Sequence, residues 1–217
     1  MRAALMVGLA LALPLPAARA QHPSQSAFWK GKFEIFQFNL RYGIGVENQN
    51  LVDRSMELWK SVYDLYQNAE GVAREELTHL NRNRSVEGPL DVRILDYSRG
   101  EGLVFDKGGP SAIRGPLRPP ATGQALEARE ILGFTCDGTE YRWTTFQQAT
   151  VQLQRWTARD SSLKVPLLEV EYFTDNTGAM LSLTVRVVSK LEKSPQLPAS
   201  LFEPPKGLKI TEVPDIE

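Results

Sequence analysis

Few residues of this chain have side chains suited to nucleophilic or metal chemistry. It contains one cysteine and two histidines. Cys136 alternates with Phe134 in a segment that has the pattern of a β-strand, and a buried free thiol behaves as a small apolar group. The segment is not a helix N-terminus, where a thiol with a lowered pKa would be expected. We therefore interpret Cys136 as a core strand residue and not as a nucleophile or a metal ligand.

The other candidate groups also lack a catalytic setting. The G-x-S-x-G nucleophile elbow, the H-E-x-x-H zinc motif and the P-loop are absent. Glu169 and Glu171 have a spacing that a glycosidase pair can have, but the solvated outer face of a strand explains them better. His22 and His79 with one cysteine cannot complete a zinc site without scattered carboxylates. The sequence predicts no enzyme, cofactor or metal; a hydrolase using Glu169, Glu171 or His79 is the remote alternative.

The chain begins with the pattern of a secretory signal peptide. Arg2 is followed by an apolar stretch over residues 3–13 and by the cleavage motif Ala18-Arg19-Ala20. We expect removal of residues 1–20, a mature chain that starts at Gln21, and a periplasmic or secreted location. No later stretch is long and apolar enough to span a membrane. The net charge of −1 comes without a basic stripe, so nucleic acid is not an expected partner.

Residues 21–217 are expected to form a single, mainly β (α+β) domain. Most of this stretch alternates apolar and polar residues, or has short runs rich in β-branched and aromatic residues. Asp137-Gly138 is a hairpin turn signal between two of the expected strands. These strands cover residues 33–42, 92–97, 102–106, 134–136, 140–146, 150–157, 165–173 and 180–188.

Residues 50–67 allow two interpretations. Asn50 could cap a short helix whose apolar residues keep a helical spacing. Alternatively, residues 56–67 form a strand that turns through Asn68-Ala69-Glu70-Gly71 into a second strand over residues 72–80. A glycine that can adopt a positive φ angle after an asparagine favours the hairpin, and a helix before it is left open.

Two proline-rich stretches are expected to lie outside regular strands. Residues 106–123 are rich in proline and glycine and cannot pair continuously in a sheet. We interpret them as a long, flexible surface loop that could act as a flap or serve only as a connector. Residues 195–217 are expected to form an extended tail, which Leu201, Phe202 and Leu208 attach to the domain.

The expected strands 165–173 and 180–188 can be placed in register, because each has one apolar face and facing residues share a side of the sheet. The predicted pairs are Leu168 with Val185, Val170 with Leu183, and Tyr172 with Leu181. The apolar face must be buried, either as the lining of a cavity inside a curved sheet or as a filled core. Periodicity alone favours the filled core.

Short motifs in the later part of the chain carry a family resemblance. They are Ile131-Leu132-Gly133-Phe134, Glu140-Tyr141, Gln154-Arg155-Trp156, Thr174-Asp175 and Ser200-Leu201-Phe202-Glu203-Pro204. In this order they resemble the outer-membrane lipoprotein carrier family (LolA/LolB-like), in particular a branch of exported bacterial proteins. The resemblance extends over roughly residues 60–212.

This resemblance implies a curved antiparallel sheet, an incomplete β-barrel, around an apolar cavity closed by a few helices or a loop. In the family, the cavity takes acyl chains of lipoproteins, and a relative of the same fold senses stress by binding protein or peptide. We therefore predict an exported binding protein for an apolar ligand, a lipid or lipoprotein acyl chain. The alternative is an envelope protein-interaction or stress-sensing module with a closed core. The predicted ligand-facing residues are Phe36, Phe38, Leu168, Val170, Tyr172, Leu181, Leu183 and Val185.

Overall fold

The computed structural model describes residues 27–40, 56–81, 91–117, 122–145, 148–194 and 196–213. The predicted signal peptide, the expected start of the mature chain and the alternative helix before residue 56 lie outside the described residues. Within them, the chain forms twelve strands and one short 3-10 helix. The predicted mainly β fold with a curved, open sheet is confirmed.

The strands coincide largely with the segments that alternate or are rich in β-branched and aromatic residues. They are β1 (Phe28–Leu40), β2 (Met56–Gln67), β3 (Val72–Asn81), β4 (Asp91–Asp96), β5 (Glu101–Asp106), β6 (Ser111–Pro116), β7 (Gln124–Ile131), β8 (Phe134–Thr144), β9 (Thr150–Ala158), β10 (Pro166–Thr174), β11 (Met180–Ser194) and β12 (Lys209–Glu212). The 3-10 helix (Ala199–Phe202) lies between β11 and β12.

All twelve strands form one sheet in the order β12-β6-β5-β4-β3-β2-β1-β11-β10-β9-β8-β7. β1 lies near the middle and pairs antiparallel with β2 and β11. The sheet is curled. Glu75 of β3 forms an ion pair with Arg186 of β11, and a flat sheet would keep these strands apart because β2 and β1 lie between them. One pairing departs from the antiparallel prediction, since β12 lies parallel to β6.

The β2–β3 hairpin decides between the two interpretations for residues 56–67. Residues from Met56 to Gln67 form a strand, so the helical interpretation is wrong for them. Asn68 Oδ1 accepts a hydrogen bond from the Val72 backbone N–H at 2.8 Å. Gly71 has a φ angle of +87°, which costs glycine little because it has no Cβ atom.

The predicted turn at Asp137-Gly138 is wrong. Both residues lie inside β8, and the chain turns instead at Leu132-Gly133, where both φ angles are positive. Gly138 is needed for packing, because a Cβ atom at this position would lie 2.6 Å from Trp156 Nε1. The Trp156 indole donates a hydrogen bond to the Glu127 carbonyl oxygen at 3.2 Å. A glycine that allows close approach therefore has the same sequence signature as a turn glycine.

The interpretation of residues 106–123 as one long loop is also wrong. β6 lies within this stretch and pairs with β5 on one side and β12 on the other. Pro110 and Pro116 lie at the two ends of β6, where they interrupt few hydrogen bonds of the sheet. The tail after β11 likewise contains a strand, and Leu208 packs against a small core formed by β4, β5 and β6.

The segment between β9 and β10 packs into the hydrophobic core, and buried Gln67 of β2 holds it there. Gln67 Oε1 accepts hydrogen bonds from the backbone N–H groups of Lys164 at 2.8 Å and Val165 at 3.1 Å. Gln67 Nε2 donates to the Ser162 carbonyl oxygen at 2.7 Å. The Trp29 indole donates to the same oxygen at 3.2 Å.

Candidate binding cavity

A cavity with a volume of about 480 Å³ lies on one face of the curved sheet. We call this face the inner face and the opposite one the outer face. The lining comes from β1, β2 and β4 on one side and from β8 to β11 on the other. The outermost of these strands, β4 and β8, are far apart in the sheet order, and they line the same cavity because the sheet curls. The volume lies within the range of about 300–1,000 Å³ that small-molecule sites have.

One wall of the cavity is apolar. Trp143, Val151, Leu153 and Phe173 of β8, β9 and β10 line it, and Val151 and Leu153 are almost fully buried. Leu95 of β4 lines the cavity from the other flank. This wall could hold an apolar ligand segment, because apolar surface that leaves water contributes favourably to binding.

Two aromatic rings and two arginines form a second part of the inner face. Phe33 and Tyr63 are stacked, with ring centroids 4.6 Å apart. The Arg186 guanidinium lies 4.2 Å from the Phe33 ring centroid, and the Arg93 guanidinium lies 5.6 Å from that of Tyr63. These distances allow cation–π attraction, which also restrains the guanidinium planes.

A network of ion pairs crosses the polar part of the inner face. Arg155 Nε lies 2.6 Å from Glu169 Oε1, and Arg186 Nη1 lies 3.6 Å from Glu169 Oε2. Arg186 Nη2 also pairs with Glu75 Oε1. Glu75 is fully buried, so its charge depends on this partner. Two arginines and two glutamates therefore neutralise one another.

Titration in this region follows from burial and from these pairs. Burial alone would raise the pKa of Glu169, but Arg155 and Arg186 outweigh burial and hold the pKa below its ordinary value. Burial raises the pKa of Tyr97, which also lines the cavity. Glu169 is therefore ionised at neutral pH, whereas the Tyr97 phenol keeps its proton and can donate a hydrogen bond.

Three buried polar atoms around the network have no hydrogen-bond partner among the described residues. They are Glu75 Oε2, Arg93 Nε and Arg186 Nε. Buried polar groups without partners cost free energy, and they call for an explanation where they occur in a folded protein. Glu75 and Arg93 are cross-strand neighbours on β3 and β4, so the unpaired atoms belong to one region.

The predicted ligand-facing residues lie elsewhere, on the outer face. Strand alternation places seven of the eight there, and Leu181 lies at a register irregularity of β11. Val185 pairs with both Phe36 and Val170. The resulting half-buried outer apolar strip consists of Phe36, Phe38, Leu168, Val170, Tyr172, Leu183 and Val185. None of the eight lines the cavity, and ligand binding by them stays a prediction.

The predicted β10–β11 register is wrong by two residues. The structure pairs Leu168 with Val187, Val170 with Val185 and Tyr172 with Leu183. A shift of two residues keeps each side chain on its face of the sheet, so the apolar and polar faces were grouped correctly. The observed register also places Glu169 opposite Arg186. This charge pair is the sequence signal that could have selected the correct register.

The interpretation of Glu169 and Glu171 as residues of a solvated outer face is wrong. Both line the cavity, and the Glu169 side chain is only 12% exposed. Sequence reasoning also missed Arg93, Arg155 and Arg186 as cavity residues. Their partners lie on strands that are distant in the sequence, so local alternation contains no information about them.

Cys136 occupies the core position that the sequence predicts. It is fully buried on β8, and its thiol donates a weak hydrogen bond to the Phe134 carbonyl oxygen at 3.4 Å. Burial raises its thiol pKa, which disfavours the reactive thiolate. His79 lies exposed on β3. In the described ranges, no group of three or more His, Cys, Asp or Glu side chains could hold a metal ion.

No family model matches the sequence, and curated proteins give no significant match. Solved structures with related folds include an uncharacterized conserved protein from Thermus thermophilus, with 14% identity, a TM-score of 0.43, and coverage of 88% of this chain and 93% of that chain. A putative outer membrane lipoprotein-sorting protein domain from Vibrio parahaemolyticus has 10% identity, a TM-score of 0.37, and coverage of 81% and 89%.

A chain of the Pseudomonas aeruginosa MucA/MucB complex has 12% identity, a TM-score of 0.40, and coverage of 88% of this chain and 60% of that chain. These are loose likenesses of fold at low identity. Separately, the part of the chain that the structure describes contains no helix long and apolar enough to cross a membrane.

Proposed function

We propose that this protein is an exported bacterial binding protein that holds a lipid or a lipoprotein acyl group in the inner-face cavity. The cavity itself supports this function best. It joins an apolar wall around Val151, Leu153 and Phe173 to a polar region around Glu169 and Arg186. An amphipathic molecule has the same division into an apolar and a polar part. The proposal requires no catalytic step, and the A-x-A signal motif supports export.

Two neighbouring residues of β11 provide a matched test of the cavity. Thr184 lines it, whereas Val185 belongs to the outer apolar strip. Both residues are half-buried, and both tolerate an aromatic residue in a strand. Thr184→Phe would fill the cavity, and Val185→Phe would enlarge only the outer strip.

The binding of N-phenyl-1-naphthylamine, a neutral apolar fluorophore, reports on the cavity. We expect Thr184→Phe to weaken its binding by roughly tenfold or more, which is about 1.4 kcal/mol or more, because the phenyl ring would occupy space that the ligand needs. Val185→Phe should bind as the wild type does. The opposite pattern would place ligand binding on the outer strip and contradict the proposal. Urea midpoints of both variants would verify that they are folded.

Native mass spectrometry of the protein purified from a bacterial periplasm tests the ligand class. A co-purifying lipid or acylated peptide, lost in Thr184→Phe and retained in Val185→Phe, is the expected result. Bare protein that also fails to bind the fluorophore would contradict the carrier function. In that case, crosslinking to envelope proteins would test the interaction-module alternative.

A further inference from the structure

Arg93 differs from the other two arginines that line the cavity. Arg155 and Arg186 form ion pairs with Glu169, and Arg186 also pairs with Glu75. Within the described residues, Arg93 forms no ion pair; it lies over the ring of Tyr63, and its charge helps to lower the pKa of Glu169. Arg93 therefore adds a positive charge, without an ion pair of its own, to a four-residue network that is already neutral.

The position of Arg93 makes this charge available to a ligand. Its side chain lines the cavity from β4, on the flank opposite the apolar wall of β8, β9 and β10. Glu171, the remaining lining carboxylate, lies on that opposite flank. The contact with Tyr63 restrains the guanidinium plane. Because Nε is buried, the Nη groups are the donors that can reach a ligand.

A partly buried guanidinium such as that of Arg93 is costly without a counter-ion, since a partly desolvated charge needs a partner. Carboxylates and phosphates match the planar guanidinium through charge-assisted, often bidentate, hydrogen bonds. Such bonds contribute more than those between neutral groups. An anionic head group would therefore relieve the cost and gain specific contacts at the same position.

We propose that Arg93 binds the anionic head group, a carboxylate or a phosphate, of an amphipathic ligand whose chain lies along Trp143, Leu153 and Phe173. This inference rests on the proposed function, because it needs a ligand in the cavity. It adds the charge of the ligand and the residue that recognises it.

Three ligands with the same chain separate the head groups: dodecanoate, dodecyl phosphate and dodecanol. Their affinities are measured by isothermal titration calorimetry at pH 8, with the two anions below their critical micelle concentrations and dodecanol below its solubility limit. The variants are Arg93→Met, which keeps an unbranched side chain in place of the aliphatic part of arginine and removes the charge, and Arg142→Met as the matched control. Arg142 is an exposed arginine on the outer face of β8.

The wild type should bind at least one of the two anions roughly tenfold or more tightly than dodecanol. Arg93→Met should lose this preference and keep its affinity for dodecanol, whereas Arg142→Met should retain the preference. Preference for dodecanoate or for dodecyl phosphate identifies the carboxylate or the phosphate as the head group. Equal affinity for all three ligands, or a preference that survives in Arg93→Met, would overturn the assignment while the proposed function stands.

Failure of all three ligands to bind would contradict the proposed function, and the inference would fall with it. A second readout separates binding from a structural role. If Arg93 is kept for a ligand, Arg93→Met should leave the urea midpoint of the ligand-free protein unchanged or raise it. A lower midpoint together with equally weakened binding of all three ligands would show that Arg93 supports the fold, and would also overturn the assignment.

Discussion

The ion pair between Glu75 and Arg186 gives a strong prediction about stability, because replacing Arg186 removes the counter-ion of a buried carboxylate. Glu75 is 0% exposed, and Arg186 is its ion-pair partner in the described structure. Arg186→Met therefore leaves a buried carboxylate uncompensated, which typically costs about 3–5 kcal/mol. Glu169 also loses Arg186 but keeps its ion pair with Arg155 at 2.6 Å. The free energy of unfolding should therefore fall by the cost of one unpaired carboxylate and not of two. For a chain of this size, the expected decrease in Tm is roughly 10 °C.

Urea unfolding at pH 7, followed by tryptophan fluorescence and circular dichroism, measures this loss. The double variant Glu75→Leu with Arg186→Met removes both charges, and such replacements are often neutral or stabilising. We expect it to recover most of the stability lost in Arg186→Met. Arg142→Met removes a more exposed pair and should cost no more than about 1 kcal/mol. The reasoning is refuted if Arg186→Met costs less than about 1 kcal/mol, or if the double variant is no more stable than Arg186→Met.

Two further predictions concern acid stability and packing. The pKa of Glu169 is lowered in the folded protein, so its stabilisation is complete above the unfolded pKa of about 4.3 and is lost as pH falls through the lower folded value. Glu169→Gln should therefore lower the urea midpoint at pH 7 and reduce the difference between pH 7 and pH 3; an unchanged difference would contradict this. Gly138→Ala should cost about 1–3 kcal/mol, because the new Cβ would lie 2.6 Å from Trp156 Nε1. Its control, exposed Thr135→Ala on the same strand, should cost clearly less, and equal losses would exclude the clash with Trp156 as the cause.

Strand positions could be predicted from the sequence where local chemistry determines them. The β2–β3 hairpin depends on an asparagine that bonds the turn and on Gly71 with its positive φ angle. The two faces of β10 and β11 follow from alternation, because successive side chains point to opposite sides of a strand. Cys136 could be placed in the core because its alternation with Phe134 and the lack of a chemical partner are both visible in the sequence.

Local patterns failed where a distant residue determines the outcome. Gly138 looks like a turn residue, and only its contact with Trp156 shows why a strand needs a glycine there. β6 looks like a loop, and its pairing with β12 depends on a tail that returns after almost a hundred residues, as the Arg114 to Glu212 contact shows with its sequence separation of 98.

The sequence by itself determined that this is a mainly β protein whose strands have one apolar and one polar face. Only the tertiary structure decided which face lines the cavity. The usual expectation is that the apolar face turns inward, since polar groups lose water when they are buried. Here the inward face of β10 and β11 carries Glu169 and Arg186, and Glu75 from β3 reaches Arg186 across the curled sheet. Those partners replace the lost hydration, and no local pattern could reveal them.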